Sequence, residues 1–406
     1  MKTTLYCLLG NTPELSLLEL ETLFPGQISH VSQHFARIEA SKNGAGEKQE
    51  DKNQEKQIDA QQLLALTGGS VKIFKELESW QIAAVSEAGL LDWITDYLLK
   101  ETEKPTFGMY CQGFGEQLVT ESALKEAIKD KGHTCRYVDS SKIGISSALS
   151  LNHPDIFDLM LVKVDETAVL LQSVATQDID DWTNRDRNKP YADRKKGMLP
   201  PKVARAMVVI GLGKTYQEHQ ETSVVDNMLL LDPFCGTGTI VMEAGMLGFE
   251  AIGSDSSAET ISQAKNNIEW FKNEYGIETN LELFTADATS NMLTERVGQH
   301  KVDVIVTEPF LGKPKPSFRQ LPDIFKGLEK MYLGAFKRWR SILKDEARVV
   351  FIFPKVDTGK RIFFLESLID KLTEFGYTTA SDPVEYARER AVTRRQITVF
   401  TYKKQT

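Results

Sequence analysis

The feature that most constrains the fold of this chain is a regular alternation of short apolar segments with amphipathic ones over residues 203–400. The apolar segments have the length of strands, and the amphipathic segments have the spacing of helices. The predicted strands cover 228–231, 250–254, 281–285, 302–307, 348–353 and 396–401, and the predicted helices cover 238–247, 258–274, 321–343 and 361–375. This alternation predicts an α/β fold with a parallel sheet covered on both faces and an antiparallel last strand on one edge.

The first 175 residues also predict α/β structure. Segments 2–9 and 34–39 alternate apolar and polar residues and flank a helical pattern over 16–24, which indicates a small β-α-β unit. Residues 41–62 are polar and almost free of large apolar side chains, so a disordered insertion is expected there. Predicted strands and helices alternate again from 105 to 174.

Composition narrows the class of protein. Hydrophobic residues make up 41% of the 406 residues and charged residues 26%, which is typical of a soluble globular protein. The sequence has no run of about 18 apolar residues, so no membrane-spanning helix is expected. The four cysteines form no CxxC pair and have no ligand-like spacing with histidine, so neither a disulfide framework nor a bound metal is expected. The first ten residues indicate a strand and not a signal peptide, and we expect a cytoplasmic protein.

Basic residues are concentrated in two segments, although the net charge of the chain is −8. Residues 182–205 carry eight basic residues against two acidic ones, a local charge of +6, and residues 386–404 carry six against one, +5. The basic residues are Arg185, Arg187, Lys189, Arg194, Lys195, Lys196, Lys202, Arg205, Arg388, Arg390, Arg394, Arg395, Lys403 and Lys404. Either segment alone could be a solvated surface, but two beside a nucleotide-type fold favour a surface that contacts phosphates.

A glycine-rich loop follows the first predicted strand of the second half. Residues 232–238 read Asp-Pro-Phe-Cys-Gly-Thr-Gly and precede a predicted helix. Glycines permit a tight turn that a ligand can approach closely, and a helix N-terminus offers free N–H groups to a carboxylate. The loop lacks the GxxxxGK[ST] pattern of a P-loop and the third glycine of a GxGxxG dinucleotide fingerprint. A different ligand is therefore expected at the carboxyl ends of these strands.

Three acidic residues follow three successive predicted strands: Asp232 opens the loop, Asp255 ends the next strand and Asp287 follows the third. One acid at a strand end is often only a helix cap, but three in order indicate a ligand. Asp255 suits the two hydroxyls of a ribose, and Asp287 suits an adenine amino group. The pattern predicts the cofactor S-adenosylmethionine. Its candidate ligands are Asp232, Pro233, Gly236, Thr237, Gly238, Asp255, Asp287 and Ala288.

The fourth predicted strand ends in a candidate catalytic segment, residues 307–312, which reads Thr-Glu-Pro-Phe-Leu-Gly. In amino methyltransferases this place holds an acid or asparagine, two prolines and an aromatic residue. A side-chain acceptor and a proline-held carbonyl orient an exocyclic amine, the aromatic ring stacks on the base, and orientation and electrostatics supply the rate. Glu308 and Pro309 fit this pattern, whereas Phe310 replaces the second proline and Leu311 replaces the aromatic residue.

We take Glu308, Pro309 and Phe310 as the candidate catalytic residues. The alternative is a loop that has kept its shape and lost its activity. Methylation of carbon through a cysteine nucleophile is disfavoured because no cysteine lies near Glu308 in the sequence. Cys235, within the glycine-rich loop, is interpreted as a small packing residue.

Together these motifs resemble the tRNA guanine-2-amino methyltransferases that carry a THUMP domain. The resemblance rests on the Gly-Met-Leu-Pro-Pro-Lys segment at 197–202, on 231–240 and on 307–312, with weaker support from 9–20. The family has Asp-Pro-Pro-Tyr or Asp-Pro-Pro-Phe where this chain has Glu-Pro-Phe-Leu.

The resemblance implies four regions: a ferredoxin-like region over 1–80, a THUMP-like RNA-binding domain over 81–175, a basic connector over 176–205 and a methyltransferase domain over 206–406. It implies methyl transfer to the exocyclic 2-amino group of a guanosine in tRNA. The tRNA would be gripped by the N-terminal region and the two basic segments, and Met198 and Pro200 would lie over the cofactor. A monomer is expected. The alternatives are an amino methyltransferase for rRNA or DNA, and a non-catalytic RNA-binding protein with a methyltransferase fold.

Overall fold

The computed structural model describes residues 4–39, 58–114, 118–140, 144–192, 198–220, 228–313, 316–387 and 391–405. In chain order its strands are β1 (Leu5–Leu9), β2 (Ile28–Ser32), β3 (Phe35–Ile38), β4 (Ser70–Gln81), β5 (Thr106–Gln112), β6 (Arg136–Tyr137), β7 (Phe157–Val164), β8 (Thr167–Thr176), β9 (Leu229–Asp232), β10 (Glu250–Asp255), β11 (Leu281–Thr285), β12 (Val302–Thr307), β13 (Leu343–Asp357), β14 (Ile362–Phe363), β15 (Tyr377–Thr379), β16 (Val384–Tyr386) and β17 (Thr393–Tyr402).

Its helices are α1 (Pro13–Leu23), α2 (Ala60–Leu66), α3 (Glu87–Glu101), α4 (Glu121–Asp130), α5 (Ser147–Asn152), α6 (Ile179–Thr183), α7 (Pro201–Leu212), α8 (Tyr216–His219), α9 (Thr239–Met246), α10 (Ala258–Tyr275), α11 (Asn291–Val297), α12 (Leu321–Trp339) and α13 (Glu366–Thr373). A 3-10 turn lies at Ile82–Ala84 and a π-helical turn at Asn184–Asn188. The predicted disordered insertion covers 41–62. Residues 41–57 of it lie outside the described residues, and residues 60–62 form the first turn of α2.

The chain divides into two units, each with its own sheet. The first unit contains residues 1–13, 26–65 and 70–181, and the second contains 14–25, 66–69 and 182–406. Helix α1 therefore belongs to the second unit, although the strands before and after it belong to the first.

The sheet of the first unit has the strand order β2-β3-β1-β4-β8-β7-β5-β6. Helix α3 illustrates how the sequence forms a helix of this unit. Ser86 caps its N-terminus by accepting a hydrogen bond from the Gly89 N–H. Leu90, Ile94 and Leu98 recur every four residues, so they lie on one face, and all three are buried. They pack in one apolar cluster with residues of β5 and β7.

Two predictions for this region are wrong. The boundary placed between 80 and 81 does not separate two sheets, because β4 pairs with β1 on one side and with β8 on the other. The strand, helix and strand predicted near the N-terminus form as β1, α1 and β3, but their arrangement as a β-α-β unit is wrong, because β1 and β3 are antiparallel neighbours and α1 belongs to the second unit. Periodicity gives the apolar face of a helix but does not say which sheet that face covers.

The sheet of the second unit has the order β11-β10-β9-β12-β13-β17-β15, with β14 beside β13 and β16 beside β17. The five strands from β11 to β13 are parallel, as predicted. β17 is antiparallel to β13, which confirms the predicted direction of the last strand. Its predicted place on the edge is wrong, because β15 pairs with its outer side. β15 has three residues, too few to give a periodic signal.

Apolar side chains of the second unit face both sides of this sheet, as expected for a parallel sheet covered by helices. Val304 and Val306 on β12 face a cluster that includes α7 and α9. Ile305, between them, faces a second cluster that includes α12. The alternation along one strand follows from its two-residue repeat.

A buried ionic cluster joins three segments of the second unit. Glu243 on α9 accepts hydrogen bonds from Arg185 Nη1 at 3.0 and 2.8 Å and from Arg205 Nε, on α7, at 2.9 Å. These side chains are 2%, 6% and 2% exposed. The Arg185 guanidinium also lies 3.7 Å from the centre of the Trp182 ring, a cation–π contact. The cluster fixes the turn at Asn184–Asn188 and α7 against the helix that follows the glycine-rich loop.

A second buried carboxyl, Glu19 on α1, extends this arrangement to the N-terminal helix. Its oxygens accept hydrogen bonds from the Gly68 and Gly69 N–H groups, both at 2.8 Å. Burial raises the pKa of Glu19 to about 7, although these hydrogen bonds and the charge of Arg205 lower it. A Cβ on Gly68 would lie 2.1 Å from the Lys202 carbonyl oxygen, so only glycine fits between α1 and α7.

We expect Glu243→Gln to destabilise the protein by about 3–5 kcal/mol, because it leaves two buried guanidinium groups without their carboxylate. Urea unfolding at pH 7 measures the loss. The control is Glu282→Gln, whose salt bridge to Arg296 is exposed and contributes less than about 1 kcal/mol. Similar losses in both variants would contradict a special role for the buried cluster.

Candidate active site

The three acids predicted at strand ends lie along one edge of the second sheet. Asp255 pairs with Thr285, so β10 and β11 end together, and Gly253 pairs with Asp232, so β9 ends two residues earlier at the same edge. The loops beyond them are joined by backbone hydrogen bonds, from the Cys235 N–H to the Ser254 carbonyl at 2.8 Å and from the Ala286 N–H to the Asp255 carbonyl at 3.0 Å. This edge is where open α/β sheets bind their ligands.

The glycine-rich loop has the backbone conformation for which its glycines were predicted. Gly236 and Gly238 have φ values of +51° and +89°, which disfavour other residues. The Gly238 N–H closes the turn on the Cys235 carbonyl at 2.8 Å, and α9 begins at the next residue. A Cβ on Gly236 would meet nothing within 4 Å, so the space beside this backbone is open to a ligand.

Asp232 connects the glycine-rich loop to the candidate catalytic segment. Its side chain is 1% exposed, and its Oδ1 accepts hydrogen bonds from Thr307 Oγ1 at 2.7 Å and from the Phe234 N–H at 3.2 Å. Burial raises its pKa to about 7, and the nearby charges of Asp255 and Glu308 act in the same direction. Asp232 is therefore close enough to Asp255 and Glu308 for their negative charges to act on it.

Asp255 and Asp287 both accept hydrogen bonds within the turns that follow their strands, but neither is a helix cap, because Ser257 is the N-cap of α10 and Ser290 is the N-cap of α11. Asp255 Oδ1 accepts from the Ser257 N–H at 2.9 Å, and Asp287 Oδ1 accepts from Thr289 N–H and Oγ1 at 2.7 and 2.6 Å. Within the described residues, both turns use only Oδ1 of the acid. Because a carboxylate offers about four lone-pair sites, these hydrogen bonds do not prevent either residue from binding a ligand.

The candidate catalytic segment follows β12 and is held at several points. The Glu308 side chain is 15% exposed, and its Oε1 accepts a hydrogen bond from Arg395 Nε on β17. Pro309 is buried. The Phe310 carbonyl accepts from the Tyr332 hydroxyl at 2.7 Å, while the Phe310 side chain is 58% exposed. Leu311 packs against the apolar core, so the exposed ring of this segment belongs to residue 310.

The connector reaches the glycine-rich loop through a residue that the sequence analysis missed. Asn267, buried on α10, bonds the backbone N–H and carbonyl of Tyr191 at 2.8 and 3.0 Å and donates to the Thr237 carbonyl at 3.0 Å. An isolated asparagine within a helix gives no sequence signal for such a role. Met198 and Pro200, both half-buried, lie just before α7.

The structure corrects the interpretation of the basic connector as one phosphate-contacting surface. Arg185 and Arg205 are buried against Glu243, and Lys189 is buried with its Nζ 3.0 Å from Thr239 Oγ1. Burial lowers the pKa of Lys189 to about 8. Arg187 is exposed. Arg194, Lys195 and Lys196 lie outside the described residues.

The second basic segment is also partly used inside the protein. Arg395 contacts Glu308, and Arg394 forms a salt bridge with Glu385. Lys403 and Lys404 are exposed. Arg388 and Arg390 lie outside the described residues.

The cysteines are free thiols. Cys235 is buried in the core, and burial together with the charges of Asp232 and Asp255 raises its thiol pKa well above the usual value. A protonated, buried thiol is a packing group, as predicted. Among the described residues, no group of histidine, cysteine and acidic side chains is arranged to hold a metal ion. No described helix is both long and apolar enough to cross a membrane.

The strand order of the second unit, with the antiparallel β17 between β13 and β15 and a glycine-rich loop after β9, defines a class I methyltransferase fold. A family model described as the RMKL-like methyltransferase domain matches residues 192–358. The solved structure of TrmN from Thermus thermophilus shares the fold, with a TM-score of 0.51 and 16% identity over 98% of this chain and 99% of that chain.

Two curated relatives have the same name. The tRNA (guanine(10)-N2)-dimethyltransferase of Methanocaldococcus jannaschii is 27% identical over 219 residues, which is 53% of this chain and 54% of that protein. The enzyme of the same name from Pyrococcus abyssi is 31% identical over 193 residues, 46% of this chain and 50% of that protein. The chain thus spans about half the length of these relatives.

We expect Asp232→Asn to make the free energy of unfolding less dependent on pH between about 4 and 7. The folded-state pKa of Asp232 is raised from 3.8 to about 7, so the folded protein binds this proton more tightly than the unfolded chain. Its contribution to stability is complete below about pH 4 and is lost as the pH rises to about 7, up to about 4 kcal/mol. Urea unfolding across this range measures the effect.

The control for this comparison is Asp287→Asn, since that carboxyl is exposed. Glu19 gives the free energy of unfolding a pH dependence of the same sign in wild type and in both variants. Its contribution therefore cancels when the variants are compared with wild type. Parallel curves for wild type and Asp232→Asn would contradict the assignment.

Proposed function

We propose that this protein is an enzyme that transfers a methyl group from S-adenosylmethionine to the exocyclic 2-amino group of a guanosine in tRNA. The observation that carries the proposal is the hydrogen bond from Thr307 Oγ1 to Asp232 Oδ1. Asp232 is the first residue of the glycine-rich loop, and Thr307 directly precedes Glu308. The hydrogen bond therefore joins the two segments. A cofactor loop and an amine-binding segment side by side are what methyl transfer to nitrogen requires.

The residues at the edge fit S-adenosylmethionine. The open space beside Gly236 and the N-terminus of α9 suit the methionine carboxylate, and Asp232 suits its amine. Asp255 would accept from the ribose hydroxyls, and Asp287 with Ala288 would border the adenine. Pro233, Thr237 and Gly238 would shape the loop, and Met198 and Pro200 would cover the cofactor. When bound, the cofactor supplies an electrophilic methyl group on a sulfonium.

The acidic edge itself favours this cofactor over a phosphate-rich one. The negative charges of Asp255 and Glu308 both act on Asp232. A sulfonium and an ammonium would reduce this repulsion, whereas a pyrophosphate would increase it.

The residues beyond β12 can hold an amine. The Glu308 carboxylate and the Pro309 carbonyl would accept hydrogen bonds from the two N–H groups of the target. Phe310 would supply the ring that stacks on the base, one position earlier than in the related pattern, because its side chain is exposed whereas Leu311 is partly buried against the core. The Tyr332 hydroxyl would keep the Phe310 backbone in place.

A tRNA substrate is supported by the names of the curated relatives. We place RNA binding on the first unit, as the THUMP-type domain, and on the exposed basic residues Arg187, Lys403 and Lys404. The buried arginines of the two basic segments do not take part. The free cysteines are compatible with action in a reducing cytoplasm.

For the cofactor, we expect Asp255→Ala to weaken binding of S-adenosylhomocysteine by about tenfold, since it removes the acceptor for the ribose hydroxyls. Isothermal calorimetry measures the affinity. The control is Glu250→Ala, an exposed acid at the opposite end of the same strand β10. Absence of binding to folded wild-type protein would instead favour a non-catalytic RNA-binding protein.

For the reaction, wild-type enzyme with S-adenosylmethionine should produce N2-methylguanosine in tRNA, detected by mass spectrometry of the nucleosides. We expect Glu308→Ala to lower the turnover number by about 100-fold or more, with cofactor affinity nearly unchanged. Parallel reactions with ribosomal RNA and DNA identify the nucleic acid. No methylguanosine with any tRNA, or equal loss of turnover and cofactor affinity in Glu308→Ala, would overturn these assignments.

A further inference from the structure

The direction of β17 brings an arginine to the edge of the sheet where the active site lies. Thr307 at the end of β12 pairs with Phe351, and Arg395 pairs with Pro354 farther along β13. Because β17 is antiparallel to β13, its first residues lie beside the carboxyl ends of the parallel strands. Arg395 is therefore two strands away from Glu308 at the same edge.

The two consecutive arginines of β17 have different environments. Arg394 pairs with Glu385, and its side chain is 51% exposed. Arg395 is 11% exposed, pairs with the candidate catalytic Glu308, and has its guanidinium carbon 5.8 Å from the centre of the Tyr386 ring. Side chains alternate across a strand, so the first faces the surface and the second faces the site.

A contact to Glu308 matters more in this chain than it would beside a shorter acid. Glutamate has one rotatable bond more than aspartate, so its carboxylate can occupy more positions. An arginine that binds the carboxylate restricts these positions. A carboxylate has about four lone-pair sites, so it can bind an arginine and an amine together.

We propose that Arg395 is a positioning residue that holds the Glu308 carboxylate where it can accept an N–H of the target amine. This inference rests on the proposed function. It assigns Arg395 a role through Glu308 and takes it out of the tRNA-contacting surface. The salt bridge also places a positive charge beside Glu308, whose negative charge acts on the nearby Asp232.

The test compares Arg395→Gln and Arg395→Lys with wild type in the tRNA methylation assay, with calorimetry on the same proteins. We expect Arg395→Gln to lower kcat by roughly tenfold to 100-fold, with KM for tRNA and affinity for S-adenosylhomocysteine within about twofold of wild type. Arg395→Lys should recover part of the loss, because its ammonium can still pair with Glu308. The preserved cofactor affinity shows that the variants are folded.

A double-mutant comparison separates positioning from a general structural effect. In the Glu308→Gln background, Arg395→Gln should have little further effect on kcat. The matched control is Lys344→Gln, which removes the salt bridge to Asp303 at the opposite end of the same strand β12 and should leave kcat unchanged.

Three results would overturn the inference while the proposed function stands: unchanged kcat in Arg395→Gln, a loss confined to KM for tRNA, or full additivity with Glu308→Gln. Parallel loss of cofactor affinity would show that Arg395 acts on folding and would also overturn it. If wild-type protein methylates no tRNA, the proposed function fails and the inference falls with it.

Discussion

The binding of two guanidinium groups by the Glu243 carboxylate is the interaction on which the active-site edge depends. Arg185 belongs to the connector, Arg205 to α7 and Glu243 to α9, whose first turn follows the glycine-rich loop. Desolvating three charges is costly, and the cost is offset only because the geometry is close and the charges are paired. Glu19 lies near Arg205 and adds a second carboxyl to the same interior. The glycine-rich loop is thus followed by a helix, α9, that is held through Glu243 by the connector and α7, with α1 beside them.

The active-site edge of the second sheet holds several acidic side chains, and neighbouring groups fix the position of each. Asp232 is held by the Thr307 hydroxyl, Asp255 and Asp287 by backbone N–H groups, and Glu308 by Arg395. Each acid therefore has a fixed position before any ligand arrives. Preorganised acceptors of this kind need not rearrange when a substrate binds.

Much of the second unit could be predicted from the sequence, because its signals are local. Strand length, helical spacing and the acids at Asp232, Asp255 and Asp287 each appear within short segments. The partners of those segments could not be predicted. Nothing within 182–205 says that Arg185 and Arg205 turn inward, since Glu243 lies far away in the chain. The pairing of Glu308 with Arg395 likewise depends on the direction of β17, and the short strand β15 gave no pattern.

The placement of α1 has a consequence for how the protein is made. Residues 14–25 leave the ribosome well before 182–406, with which they pack. Synthesis proceeds from the N-terminus, so Leu15 on this helix lacks its final apolar neighbours until the second half of the chain has been made. The methyltransferase-type unit can complete its interior only then. For the same reason, a cut between residues 181 and 182 would leave the second unit without α1.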